Sequence, residues 1–103
     1  MNLGVDWEQV RRERARLVIL RALAEQLNGS LDSSILEEVL PLSAIREDQP
    51  WIREQLKYLE KMDAIKLTVS ESIMIATLTK RGRRHIDRDI AIEGVTRPPM
   101  LGE

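Results

Sequence analysis

The sequence contains no cysteine and no phenylalanine, and its aromatics amount to 3% of the chain. Without cysteine there is no disulfide framework, no cysteine-ligated zinc site and no thiol nucleophile, a usage that suits a reducing cytoplasm. With so few rings, the core has to be built from aliphatic side chains. Long apolar runs are missing too: none exceeds the length of Leu17 to Leu20, far short of the roughly 20 residues a membrane-spanning helix needs. Met1-Asn2-Leu3-Gly4 does not open like a secretory signal. The expectation is a cytoplasmic protein with no membrane partner.

Catalytic constellations are equally scarce. His85 is the only histidine, set among arginines, with no Gly-rich phosphate loop and no paired-carboxylate motif beside it. It reads as a surface histidine on a basic helix. The acidic residues Glu37, Glu38, Glu47 and Asp48 lack metal-loop spacing and read as a solvated face. No catalytic residue, metal, cofactor or small-molecule substrate is therefore expected.

What is present is enough for one domain: 103 residues, 43% hydrophobic and 32% charged, bury well over half of their unfolded surface around one core. The formal net charge of -1 hides strong local bias. Arg11, Arg12, Arg14, Arg16 and Arg21 stand against Glu13 alone; Lys80, Arg81, Arg83, Arg84 and Arg88 stand against Asp87 alone. Between them, Asp32, Glu37, Glu38, Glu47 and Asp48 outnumber Arg46. A near-neutral chain with such segregation is able to present a phosphate-attracting face.

Hydrophobic periodicity predicts a first helix from about Asp6 to Asn28, stopped by Asn28-Gly29, with Leu17, Ile19, Leu20, Leu23, Ala24 and Leu27 as its core face. Trp7, Val10 and Val18 form a second apolar line. Either the C-terminal segment covers it or it is a homodimer seam. A short second helix follows, capped by Asp32 or by the S-x-x-E box at Ser34, using Ile35, Leu36, Val39 and Leu40, and ended by Pro41. The third begins at Asp48 or Gln49 with Pro50 in its first turn, and turns Ile52, Leu56 and Leu59 inward.

At Ile65 the period changes to two. Ile65, Leu67 and Val69, a polar turn at Ser70-Glu71-Ser72, and the alternating run Ile73 to Leu78 predict a β-hairpin. Thr79 is placed to cap a last helix from Lys80 to about Ile90. Residues 1–90 are then the domain, and 91–103 an extended C-terminal tail, marked by Gly94 and Pro98-Pro99, that nothing obliges to be ordered. Three helices, a hairpin and a further helix make the element order of an α+β winged helix-turn-helix domain.

Leu78-Thr79-Lys80-Arg81-Gly82 resembles the L-T-x-x-G that joins wing to last helix in MarR-, ArsR- and PadR-like winged-helix proteins. Tyr58 to Ile65 looks like the end of their recognition helix. More narrowly, nearly the whole chain is similar to small winged-helix-like proteins of Mu-like phages and prophages. The similarity rests on Arg16 to Glu25 (R-x-x-I-L-R-A-L-A-E), Ala76 to Gly82 (A-T-L-T-x-R-G) and Gly94 to Pro98 (G-V-x-R-P). The resemblance implies a phage-associated gene in a bacterial host and brings no activity with it. Asp63 stands where those families place Gly, a residue that reaches the left-handed region more easily, so the third helix is expected to end differently here.

Two functions follow as expectations, because winged helices serve both. In one, a DNA-binding or transcription-regulatory protein, Gln49, Trp51, Arg53, Glu54 and Lys57 face the bases of duplex DNA, and Lys61, Lys66, Lys80, Arg81, Arg83 and Arg84 face phosphates. In the other, a protein-protein adaptor in phage DNA packaging or particle assembly, the partner is a phage protein. The third helix carries as many acids as bases and the wing tip holds Glu71, which weighs toward the adaptor.

Overall fold

A computed structural model describes residues 4–99. Among them, four α-helices and a three-stranded antiparallel sheet form an α+β fold in the order α1 (Trp7–Ala24), β1 (Ser30–Asp32), α2 (Ser33–Val39), α3 (Gln49–Lys61), β2 (Ile65–Ser70), β3 (Ile73–Leu78) and α4 (Lys80–Ile86). The sheet order is β1-β3-β2, so the first strand adds to the free edge of the hairpin. The core is aliphatic: Ile19, Leu20 and Leu23 of α1, Leu36 of α2, Ile52, Leu56 and Leu59 of α3, and Ile65 of β2 are sealed from solvent.

Each helix start obeys its cap. The carboxylate of Asp6 accepts from the Gln9 amide, that of Asp32 from Ser34, and that of Asp48 from Trp51, each at 3.1 Å. Such contacts satisfy amides that the first turn leaves without a partner. Asp32, not Ser34, is thus the cap of α2. Pro41 does not stop the chain at once; it enters a 3-10 turn, Leu40–Ser43, closed by Ala44 in the left-handed region.

α1 ends at Ala24, earlier than the predicted Asn28, because the chain must reverse to lay Ser30–Asp32 along Ile75–Thr77. The Leu78 amide donates to the Gly29 carbonyl at 2.8 Å and anchors the reversal. Leu27, expected in the core, consequently lies fully exposed beyond the helix. Ile35 also faces outward, 40% exposed. β1 went unpredicted: three residues with one apolar side chain are too few to show alternation.

The expectation that Asp63 would alter the end of α3 is overturned. Asp63 adopts φ 61°, and the Asp63 and Ala64 amides donate at 2.9 Å to the Glu60 and Leu59 carbonyls. That pair of bonds is the Schellman helix end that Gly ordinarily supplies. The hairpin then turns on Glu71 and Ser72, with Glu71 also at positive φ.

Thr79 caps α4, accepting from the Gly82 amide at 3.1 Å. Gly82 is obligatory, since a Cβ there would overlap the Ala64 carbonyl oxygen. The helix closes at Ile86, short of the predicted Ile90, and Arg88 at φ 65° redirects the chain.

Residues 91–99, expected as part of an extended tail, have irregular backbone but pack onto the domain. Ile92 and Val95 enter the core at 2% and 6% exposure, and the Thr96 amide donates to the Glu13 carbonyl of α1 at 3.2 Å. Two such aliphatic side chains contribute about 1.5–3 kcal/mol each. The remainder of that tail, 100–103, lies outside the described residues.

Candidate nucleic-acid interface

α3 packs one side into the core and turns the opposite stripe to solvent. Pro50, Glu54, Lys57 and Lys61 follow one another at helical spacing along that stripe, and all four are exposed. The hairpin stands to one side of it. Arg53 reaches across and donates from Nη2 to the Ser72 carbonyl in the turn at 2.8 Å, while Glu60 accepts from the Leu67 amide at 3.1 Å. On the other side lies α1, reached by Trp51 and Tyr58.

Of the five side chains expected to face bases, three are committed within the molecule. Gln49 donates to the Ser33 carbonyl at 3.0 Å and to Glu37 at 2.9 Å, and accepts from Arg53 Nε at 3.4 Å. Trp51 donates to Glu8 at 3.4 Å and sits beneath the Arg11 guanidinium. Arg53 braces the hairpin. Glu54 and Lys57 stand open on the stripe.

The residues expected to face phosphate divide in the same manner. Lys61 and Lys66 are exposed near the end of α3 and the start of β2; Lys80, Arg83 and Arg84 are exposed on α4, which packs against α1. Arg81 donates from Nε to the Met62 carbonyl at 3.0 Å, neutralising part of the negative end of the α3 dipole. None of these cations belongs to either ion pair of the described residues, Arg11–Glu47 and Arg12–Glu8. Against them, Glu54, Glu60, Asp63 and Glu71 keep the face of α3 and the hairpin near neutral.

The line Trp7, Val10 and Val18 is not covered by the C-terminal segment at its outer end: Trp7 is 64% exposed and Val10 37%. Val18 is half-buried and packs on the edge of the core.

A buried, charged group that the sequence did not announce lies between α1 and α3. Arg16 is 6% exposed, donates from Nε to Gln55 at 3.0 Å and from Nη1 to the Gly94 carbonyl at 2.8 Å, and lies over the Tyr58 ring. Burial lowers its pKa below the usual arginine value, with Tyr58 pulling it back up; the guanidinium stays charged regardless. Tyr58 donates to the Glu93 carbonyl at 2.7 Å.

His85, expected at the surface, is completely buried. Its Nδ1 accepts from the Ile92 amide at 3.0 Å, which places the proton on Nε2, facing the Thr96 carbonyl at 2.9 Å. The available signals were an arginine within the apolar period of α1 and the aliphatic pair Ile92 and Val95 three residues apart. These bonds clasp the C-terminal segment to α1, α3 and α4.

Among the described residues, no group of three or more His, Asp and Glu side chains is arranged to hold a metal ion, and no helix is long and apolar enough to cross a membrane. Compared with protein-family models and with curated proteins, the chain finds no match.

Proposed function

We propose that this chain is a non-catalytic winged-helix protein of phage or prophage origin that binds duplex DNA in a regulatory role, with α3 entering the major groove and the β2–β3 hairpin resting on the adjacent backbone. The observation that carries the reading is the open stripe of α3, Glu54, Lys57 and Lys61, with the hairpin braced beside it by Arg53. The element order and the β1-β3-β2 sheet support the winged-helix assignment. Gln49, Trp51 and Arg53 act here as scaffolding of the reading helix, and Lys57, Lys61 and Lys66 as its phosphate and base contacts. A homodimer formed through Trp7, Val10 and Val18 belongs to the same reading.

Anisotropy titration of labelled random duplex DNA at two salt concentrations tests this. Three phosphate contacts give a salt slope of about -2.7, so raising salt from 50 to 200 mM weakens binding about 40-fold. Lys57→Ala with Lys61→Ala should remove most of that slope. Absence of binding at low salt eliminates the DNA reading.

A second reading, a protein-protein adaptor in phage DNA packaging or particle assembly, draws on the exposed aliphatics of the hairpin. Val69, Ile73 and Ile75 are 61%, 47% and 37% exposed beside the acidic turn residue Glu71. An apolar wing with an acidic tip suits a protein surface better than a phosphate backbone. Inertness toward DNA together with a phage protein that co-purifies, and is lost on Ile73→Asp, favours this second reading.

A further inference from the structure

On the side of α1 turned away from α3, a groove of about 280 Å³ is bounded by Arg14 and Arg21 of α1 and by Arg97 of the clasped C-terminal segment. Its apolar lining is Leu17, Val18, Ile45 and Pro99. Among the described residues, no carboxylate lines it and none of the three arginines enters an ion pair. Arg14 and Arg21 lie seven residues apart on one helical face, a rise of about 10.5 Å. On a peptide extended in the polyproline II conformation, with three residues per turn, two carboxylates three residues apart lie on one face about 9.3 Å from each other.

We propose that this groove is a docking site for an acidic, extended peptide segment of a partner protein, in which carboxylates recur every third residue with aliphatic side chains between them. The arginines fork onto the carboxylates, and the aliphatic side chains rest on Val18, Ile45 and Pro99. A DNA duplex is too broad to enter a groove of this size, and its phosphates have no use for an apolar floor. The site goes beyond the DNA reading and is separate from it, because α1 stands between the groove and the α3 stripe.

The probe is a fluorescein-labelled peptide of repeated Glu-Leu-Leu triplets, titrated with the full chain. Expected are binding by the wild type, a loss of about tenfold in affinity in Arg14→Gln/Arg21→Gln/Arg97→Gln, and a comparable loss when the leucines of the peptide are replaced by serine. The variant should keep its circular dichroism, its melting point and its response to duplex DNA. No binding at low salt, equal binding by the variant, or displacement of the peptide by duplex DNA overturns the proposal. A dimer in sedimentation that Val18→Asp dissociates and that shuts out the peptide overturns it as well, by giving the groove to a second copy of the chain. Loss of DNA affinity in Lys57→Ala/Lys61→Ala with peptide binding intact bears on α3 alone.

Discussion

The Arg16 guanidinium carbon lies 3.7 Å from the centroid of the Tyr58 ring, joining the middle of α1 to the last turn of α3. This contact does more than stack a cation on a ring. Arg16 goes on to hold the Gly94 carbonyl and Tyr58 the neighbouring Glu93 carbonyl, so one residue pair fixes both the α1–α3 packing and the path of the C-terminal segment. Gly94 fits there because a Cβ would overlap the Tyr58 hydroxyl.

Truncating the two partners should therefore have unequal effects. Tyr58→Phe removes one hydrogen bond and keeps the ring, costing about 1 kcal/mol. Arg16→Ala strands the Gln55 side chain and the Gly94 carbonyl and empties the space over the ring, costing about 3 kcal/mol. Urea unfolding followed by circular dichroism measures both. Equal losses would mean that the Arg16 hydrogen bonds and stacking together contribute no more than the single Tyr58 hydrogen bond.

His85 makes a sharper test of the clasp, since both ring nitrogens are used by the same nine-residue stretch. His85→Ala leaves the Ile92 amide and the Thr96 carbonyl without partners and opens a cavity, an expected loss of about 3 kcal/mol. Hydrogen exchange at the Ile92 amide should accelerate by more than the global destabilisation accounts for. If Ile92 exchange follows global unfolding in both proteins, the segment is not a separately held unit.

Much of this architecture was legible in the sequence, and the gaps have physical causes. The cap Thr79, the α3 cap narrowed to Asp48 or Gln49, the α3 core line Ile52, Leu56 and Leu59, and the period-two hairpin were readable because each depends on residues within one or two turns. β1, the early end of α1 and the burial of His85 were not, because each is set by a segment distant in sequence: β1 by Ile75–Thr77, and His85 by Ile92 and Thr96. Helical phase together with the winged-helix reading of the third helix places Gln49, Trp51 and Arg53 outward. Phase cannot reveal that Ser33, Glu8 and Ser72 stand within reach of them.

Arg53 separates a bracing role from a base-reading one. If its bond to the Ser72 carbonyl holds the hairpin turn, Arg53→Ala should lower stability by no more than about 1 kcal/mol, because the site is exposed, yet hasten exchange at the amides of residues 71–73. NMR-detected exchange at matched stability checks it. Unchanged exchange in the turn would return Arg53 to the group of side chains available for DNA bases.

Asp63 offers a gain rather than a loss. Its φ of 61° is one that glycine adopts without a Cβ penalty, and the Schellman bonds of the Asp63 and Ala64 amides use backbone alone. Thr79 donates from its hydroxyl to the Asp63 carbonyl at 2.6 Å, again a contact that any residue at 63 retains. Asp63→Gly should therefore stabilise the fold by about 0.5–1 kcal/mol, the relief of left-handed strain exceeding the added chain entropy of glycine in the unfolded state. For a domain of this size that is a rise of roughly 3–6 °C in melting temperature, readable by calorimetry. A fall instead would mean that the Asp63 carboxylate makes a stabilising contribution that its backbone geometry does not reveal.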